Sequence, residues 1–165
     1  MRETTRWILE TSANVAIIIV ALMACALCVT IVLPKLQVRS LVPGSQIKLH
    51  GIDWKSNDRT LLLALSTSCH FCSQSASFYK RLVTETASKS SVQIIAVLPE
   101  DIAEGTRFLR GLGVPATTVL TAQLRSFGVR GTPTIILADN KGTIKHVWEG
   151  TLSLVQEEEV LGSVR

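Results

Sequence analysis

The apolar positions along the chain fall into two regimes. Residues 15–33 read VAIIIVALMACALCVTIVL, and no charged residue occurs between Glu10 and Lys35. Beyond that block, short apolar runs alternate with polar segments carrying turn residues. A helix that crosses a bilayer needs about 20 predominantly apolar residues. The pattern therefore predicts one N-terminal transmembrane anchor over 13–34, after a short tail at 1–12. Asn14 and Thr30 fall near its two ends, Pro34 stops the helix, and Lys35 marks the interface. A linker containing Pro43-Gly44 follows over 35–45.

The rest of the chain, 46–165, reads as one folded domain. Residues 46–49 suit a short strand. Residues 60–65 (TLLLAL) and 92–98 (VQIIAVL) are continuous apolar runs, the pattern of strands buried on both faces. A helix is expected over 69–87, with Phe78, Leu82 and Val83 on its inner side, and another over 102–112, stopped by Gly113. Residues 116–120 are β-prone, and 122–127 suit a helical turn. A third core strand over 134–138 (TIILA) leads through the turn Asp139-Asn140-Lys141-Gly142 to a returning strand over 143–148. The closing helix covers 153–164, with Ser153 as N-cap. Parallel strands joined by helices come first and an antiparallel hairpin second. That order implies an α/β fold with a mixed central sheet and helices on both faces.

Composition adds limits. A chain of 165 residues suits one domain plus an anchor. The net charge is +4, and the Lys and Arg residues are scattered without an interleaved basic–aromatic run, so no nucleic-acid partner is expected. A cleaved signal peptide would have a shorter apolar region, about 7–15 residues, ending at small residues. Ala24-Cys25-Ala26 offers such a site, and Leu22-Met23-Ala24-Cys25 loosely resembles a lipoprotein processing site. The chain nevertheless stays apolar beyond Cys25, so length favours an uncleaved anchor. Arg2 and Arg6 on one side, against Lys35, Arg39 and Lys48 on the other, leave the orientation undecided by charge.

The four cysteines form two pairs of equal spacing, Cys25/Cys28 and Cys69/Cys72. The first pair lies inside the apolar run with no His, Asp or Glu nearby to activate it, and reads as small packing residues. The second follows a buried strand and opens a helix. A thiolate is the nucleophile in thiol chemistry, and the free N–H groups and dipole of a helix start favour negative charge. There the Cys69 pKa is expected to fall from about 8.5 into the range of roughly 3.5–7.5. Cys72, one turn further in, is placed to attack a mixed disulfide on Cys69. Half of a zinc site is the competing reading. A structural zinc site takes four ligands, and the domain has no second cysteine pair, so neither a metal nor a cofactor is expected. Thr132-Pro133 stands just before a core strand, where a proline suits a cis peptide bond.

Together, STSCHFCSQ at 66–74, VRGTPTIIL at 129–137, the DNKG turn and Val147-Trp148-Glu149-Gly150 resemble the thioredoxin superfamily over about 46–165. The resemblance implies a thioredoxin-like fold in which a cis-proline loop, here Pro133, packs beside the start of the CxxC helix. It implies a protein thiol–disulfide oxidoreductase with Cys69 attacking and Cys72 resolving. His70, Phe71, Thr132 and Pro133 would then meet the substrate, Thr132 through its backbone. The anchor and the long segment between Cys72 and Pro133 resemble extracytoplasmic, membrane-anchored relatives. This places the domain on the periplasmic or extracellular side, with exported thiol or disulfide proteins as substrates and a membrane electron donor as partner. Reductase work is favoured over oxidation, by analogy alone.

The chain departs from the family pattern at three points. Ser68 replaces the usual tryptophan, the first core strand carries no carboxylate to take a proton from Cys72, and the dipeptide is His70-Phe71. His70 either stabilises the Cys69 thiolate as an imidazolium or faces solvent. Two other function classes compete. A peroxiredoxin-like peroxide reductase would place a proline where Leu62 stands. A thioredoxin-like copper chaperone would space its cysteines one residue wider and add a distant histidine, for which His146 is the candidate.

Overall fold

The structure is a computed structural model that describes residues 15, 17–28, 30, 41–89, 91–114 and 117–164. It divides into two units, Met1–Val38 and Arg39–Arg165. In the first unit, residues 15, 17–28 and 30 are helical and exposed. The ends of the expected 13–34 anchor, the 1–12 tail and residues 35–40 of the linker lie outside the described residues. Among the described residues, no helix is long and apolar enough to cross a membrane.

The second unit is built on β1 (Arg59–Ala64), β2 (Val92–Leu98), β3 (Thr118–Thr121), β4 (Thr134–Asp139) and β5 (Ile144–Glu149), in the spatial order β3-β2-β1-β4-β5. β1 runs parallel to β2, and β2 to β3. The pairs β1–β4 and β4–β5 are antiparallel. The helices are α1 (His70–Gln74), α2 (Ala76–Thr86), α3 (Ile102–Gly111) and α4 (Leu154–Ser163). From Thr60 onward every residue of β1 is buried, as its unbroken apolar run requires of a central strand.

Three expectations change. The strand expected at 46–49 is reduced to a single antiparallel bridge between Gln46 and Thr143, although Ile47 is buried. The helix expected over 69–87 is broken at Ser75. The Ser75 hydroxyl donates to the Phe71 carbonyl at 3.0 Å, alongside its own N–H at 3.2 Å, and such back-bonding bends a helix. Cys69 is therefore the N-cap of a short α1 rather than a helical residue.

Helices were also expected on both faces of the sheet. Instead α2, α3 and α4 all pack on one face, through Phe78, Tyr79, Leu82, Leu109, Val160 and Leu161 against Leu61, Leu63, Ala96 and Ile135. The strands β1, β2 and β3 step in one direction across the sheet. Right-handed crossovers then put α2 and α3 on the same side. The opposite face, with Leu62, Ala64, Ile95, Val97 and Ile136, is covered by Ile47, Trp54, Phe127 and Val129 from non-helical and 3-10 segments.

The helix ends carry the signals that the sequence offers. Asp101 caps α3 by accepting the Glu104 N–H at 2.8 Å. Gly113, at φ +66°, ends it with the Gly113 N–H on Arg110 O and the Val114 N–H on Leu109 O, the Schellman pattern. Ser153 and Gln156 form a reciprocal capping box at α4.

Register gathers the functional loops. Ala64 at the end of β1 faces Thr134 at the start of β4, and Thr134 faces Glu149 at the end of β5. Ala64 also pairs with Val97 near the end of β2. The loops after β1, β2 and β5, and the loop before β4, therefore share one end of the sheet.

Candidate active site

Cys69 sits at that end. β1 delivers the chain in extended form, the Ser66–Ser68 turn reverses it, and the Cys69 N–H closes on Ser66 O at 3.1 Å. As N-cap of α1, Cys69 Sγ accepts the backbone N–H of Cys72 at 3.1 Å. Its thiol donates to the Thr132 carbonyl at 3.3 Å. Both cysteines are free thiols. Cys69 is partly exposed, whereas Cys72 is fully buried among the residues of the helical face. Burial first, and then the hydrogen bond shared with Cys69, push the Cys72 thiol up to about 12.

The peptide bond between Thr132 and Pro133 is cis. Pro133 is buried, its carbonyl accepts the Gly150 N–H at 2.8 Å, and the Thr134 hydroxyl closes on Gly131 O at 2.8 Å. The loop is tied on both sides of the proline and presents the Thr132 carbonyl to Cys69. His70 and Phe71 are exposed in the first turn of α1, their rings edge-on at 5.9 Å. Phe71 is 56% exposed. Cys69, Cys72, Thr132 and Pro133 thus converge, with His70 and Phe71 on the solvent side of the same helix start.

His146, the candidate copper ligand, is elsewhere. It pairs across the sheet with Leu137, four positions beyond Pro133, or about 13 Å along the strand. There it stacks on Trp148 at 4.1 Å and reaches Glu159 at 3.6 Å. Among the described residues, no group of three or more His, Cys, Asp or Glu is arranged to hold a metal ion.

Glu100 belongs to no sequence motif, yet it reaches the cysteine turn. This residue follows the end of β2, and its Oε1 accepts the Thr67 N–H at 3.0 Å, the Thr67 hydroxyl at 3.0 Å and the Ser66 hydroxyl at 2.7 Å. The Thr67 hydroxyl also lies 3.1 Å from Glu104 Oε1, so its single proton serves one carboxylate at a time. An acid just after Pro99 looks like a solvated turn residue in sequence, and only the pairing of β1 with β2 brings it to the cysteine turn.

No protein-family model matches the chain, and no curated protein matches it in sequence. Solved structures do. The thioredoxin domain of a thiol-disulfide oxidoreductase from Bacteroides vulgatus is similar with a TM-score of 0.57 at 21% identity, covering 76% of this chain and 100% of that one. A thiol-disulfide isomerase from Corynebacterium glutamicum gives 0.54 at 18% identity, over 79% and 97% of the two chains. A secreted disulfide oxidoreductase of Mycobacterium tuberculosis, homologous to DsbE of E. coli, gives 0.52 at 15%, over 67% and 82%. The sheet order, the cysteine pair at a helix start and the cis-proline loop agree with these likenesses in one conclusion: the chain has the thioredoxin-like fold.

Proposed function

We propose that this protein is a thiol–disulfide oxidoreductase of exported proteins, anchored by 13–34 with its domain on the extracytoplasmic side, and that it acts as a reductase. The observation that carries the exchange chemistry is the setting of Cys69. Its sulfur is the accessible one of the pair, it accepts a helix-start N–H at 3.1 Å, and it lies beside the Thr132 carbonyl at 3.3 Å. The Thr132–Pro133 backbone beside it offers a substrate strand an edge to pair with. Cellular placement rests on the apolar block and on one similar structure's being a secreted protein.

In the reducing direction, the Cys69 thiolate attacks one sulfur of the substrate disulfide. That S–S bond breaks, a mixed disulfide forms, and the first substrate thiolate leaves and takes a proton. Cys72 then loses its proton and attacks Cys69 Sγ. The Cys69–substrate bond breaks, the second substrate thiol is released, and two electrons have passed from the dithiol to the substrate. A membrane electron donor restores the dithiol. β1 carries no carboxylate to take the Cys72 proton, so the departing substrate thiolate is its natural acceptor.

Titration of the Cys69–Cys72 pair in glutathione buffers tests this reading. A potential near −270 mV or lower is expected for a reductase, whereas a value near −120 mV marks an oxidase. A pair that forms no disulfide at any poise removes the redox reading.

A further inference from the structure

Glu100 takes no part in the exchange written above, yet it grips the turn that carries Cys69. Three donors from Ser66 and Thr67 converge on its Oε1 at 2.7–3.0 Å, across more than thirty residues of sequence. The carbonyl of Ser66 in turn accepts the Cys69 N–H at 3.1 Å, so the carboxylate lies one residue's hydrogen bonding away from the nucleophile. Its other oxygen, Oε2, is buried and has no hydrogen-bond partner among the described residues. Burial pushes this carboxyl up, but the Ser66 hydroxyl, the backbone N–H of Glu100 itself and the Thr67 amide and hydroxyl outweigh it and hold the group below the ordinary glutamate range. A negative charge is therefore kept beside the cysteine turn.

We propose that Glu100 is a positioning residue for the dithiol: its Oε1 fixes the Ser66–Cys69 turn, and its charge opposes the Cys69 thiolate and so biases the pair toward the disulfide. The proposal rests on the dithiol cycle proposed above. A negative neighbour disfavours a second negative charge. A destabilised thiolate raises the free energy of the reduced form and makes the pair a better electron donor. Clamp and charge are separable. Glu100→Gln keeps an acceptor oxygen and removes the charge. Ser66→Ala keeps the charge and removes one of the donors that offset it.

The test uses the full-length chain and follows alkylation of Cys69 by iodoacetamide at pH 7, with peptide mass spectrometry separating it from the other cysteines. Glu100→Gln is expected to speed alkylation by about threefold or more, because the negative charge held against the Ser66–Cys69 turn is removed. Ser66→Ala is expected to slow it, and Glu100→Asp to stay within about twofold of the parent. The glutathione equilibrium of Glu100→Gln should move toward the dithiol by a similar factor, where tenfold is about 30 mV. A purely structural clamp would move Glu100→Gln and Ser66→Ala in the same direction, and that result overturns the proposal. So does an unchanged rate in Glu100→Gln. If Glu100→Gln does not fold, Ser66→Ala alone decides: slower supports, unchanged or faster overturns. If the parent forms no disulfide at any glutathione ratio, the redox function fails while the alkylation rates, which need no disulfide, still decide the role of Glu100.

Discussion

The backbone N–H of Cys72 points at Cys69 Sγ from 3.1 Å while the Cys72 sulfur is itself fully buried. The two thiols are thereby made unequal. One meets solvent and is hydrogen-bonded from the helix start; the other is enclosed and held protonated, at about 12. At pH 8 the thiolate fraction of a thiol at about 12 is on the order of 10⁻⁴. In the native dithiol, alkylation is therefore expected at Cys69 and not at Cys72. Cys72→Ser should accumulate a mixed disulfide with substrate, whereas Cys69→Ser should form none. Non-reducing gels of the two variants check this, and trapping through Cys72 in Cys69→Ser would reverse the assignment.

The same inequality gives the reduced domain a pH-dependent stability. The folded Cys72 thiol lies above its ordinary value of about 8.5. Its contribution is present in full below that value and is lost as pH rises toward about 12. Tyr79, raised by burial above its own ordinary range, adds loss of the same sign at still higher pH. Urea melts of reduced and oxidised protein between pH 8 and 11 should show stability falling more steeply in the reduced form. Oxidation removes the Cys72 proton from the balance and leaves the tyrosine contribution in place.

Asp139 makes the opposite prediction at acid pH. Burial pushes its carboxyl up, but the Lys145 ammonium at 2.9 Å and the Thr143 and Lys141 amides, both at 2.9 Å, outweigh that and hold it well below the carboxylate range. A depressed pKa stabilises the fold above the ordinary value of about 3.9 and loses that stabilisation as pH falls below it. Asp139→Asn should lower stability at pH 7 by about 1–2 kcal/mol. Its stability should also change less than the parent's between pH 5 and pH 2, as read by thermal melts.

Two glycines separate backbone cost from packing cost. Gly142 and Gly150 both hold positive φ, +72° and +81°. A Cβ on Gly142 would meet the Trp54 ring at 3.0 Å, whereas one on Gly150 meets nothing within 4 Å. Alanine should cost about 1–2 kcal/mol at either position for the left-handed backbone alone. The Trp54 contact should add about 1 kcal/mol more at Gly142. Equal losses would mean that Trp54 yields freely.

Particular residues show which parts of this structure are local enough to read in sequence. β2 runs from Val92 to Leu98, the bounds of its apolar run, because a continuous apolar stretch has only the sheet interior to occupy. The Cys69 helix start, the DNKG turn and the Ser153 cap are set by residues a few positions apart. The break at Ser75 was not legible, because one hydroxyl competing for one carbonyl leaves the helical periodicity intact. The one-sided placement of α2 and α3 depends on strand order, which periodicity does not encode. Glu100 reaches Ser66 and Thr67 only once β1 and β2 have paired.

Phe71 offers the sharpest separation of binding from folding. Its ring is 56% exposed one residue before the buried Cys72, so removing it uncovers little further apolar surface. Phe71→Ser should shift stability by less than about 0.5 kcal/mol, as for other exposed positions. The Cys69 hydrogen bonds to Thr132 O and from Cys72 N use no atom of the Phe71 side chain, so both are expected to survive the substitution. Exchange with a small aromatic disulfide reagent should proceed at the parental rate. With a protein substrate, the lost ring contact removes uniform binding, so KM should rise about tenfold, equivalent to about 1.4 kcal/mol, with kcat unchanged. A fall in kcat with both substrates would instead place Phe71 in support of the Cys69 turn, and an unchanged KM would take it out of substrate recognition.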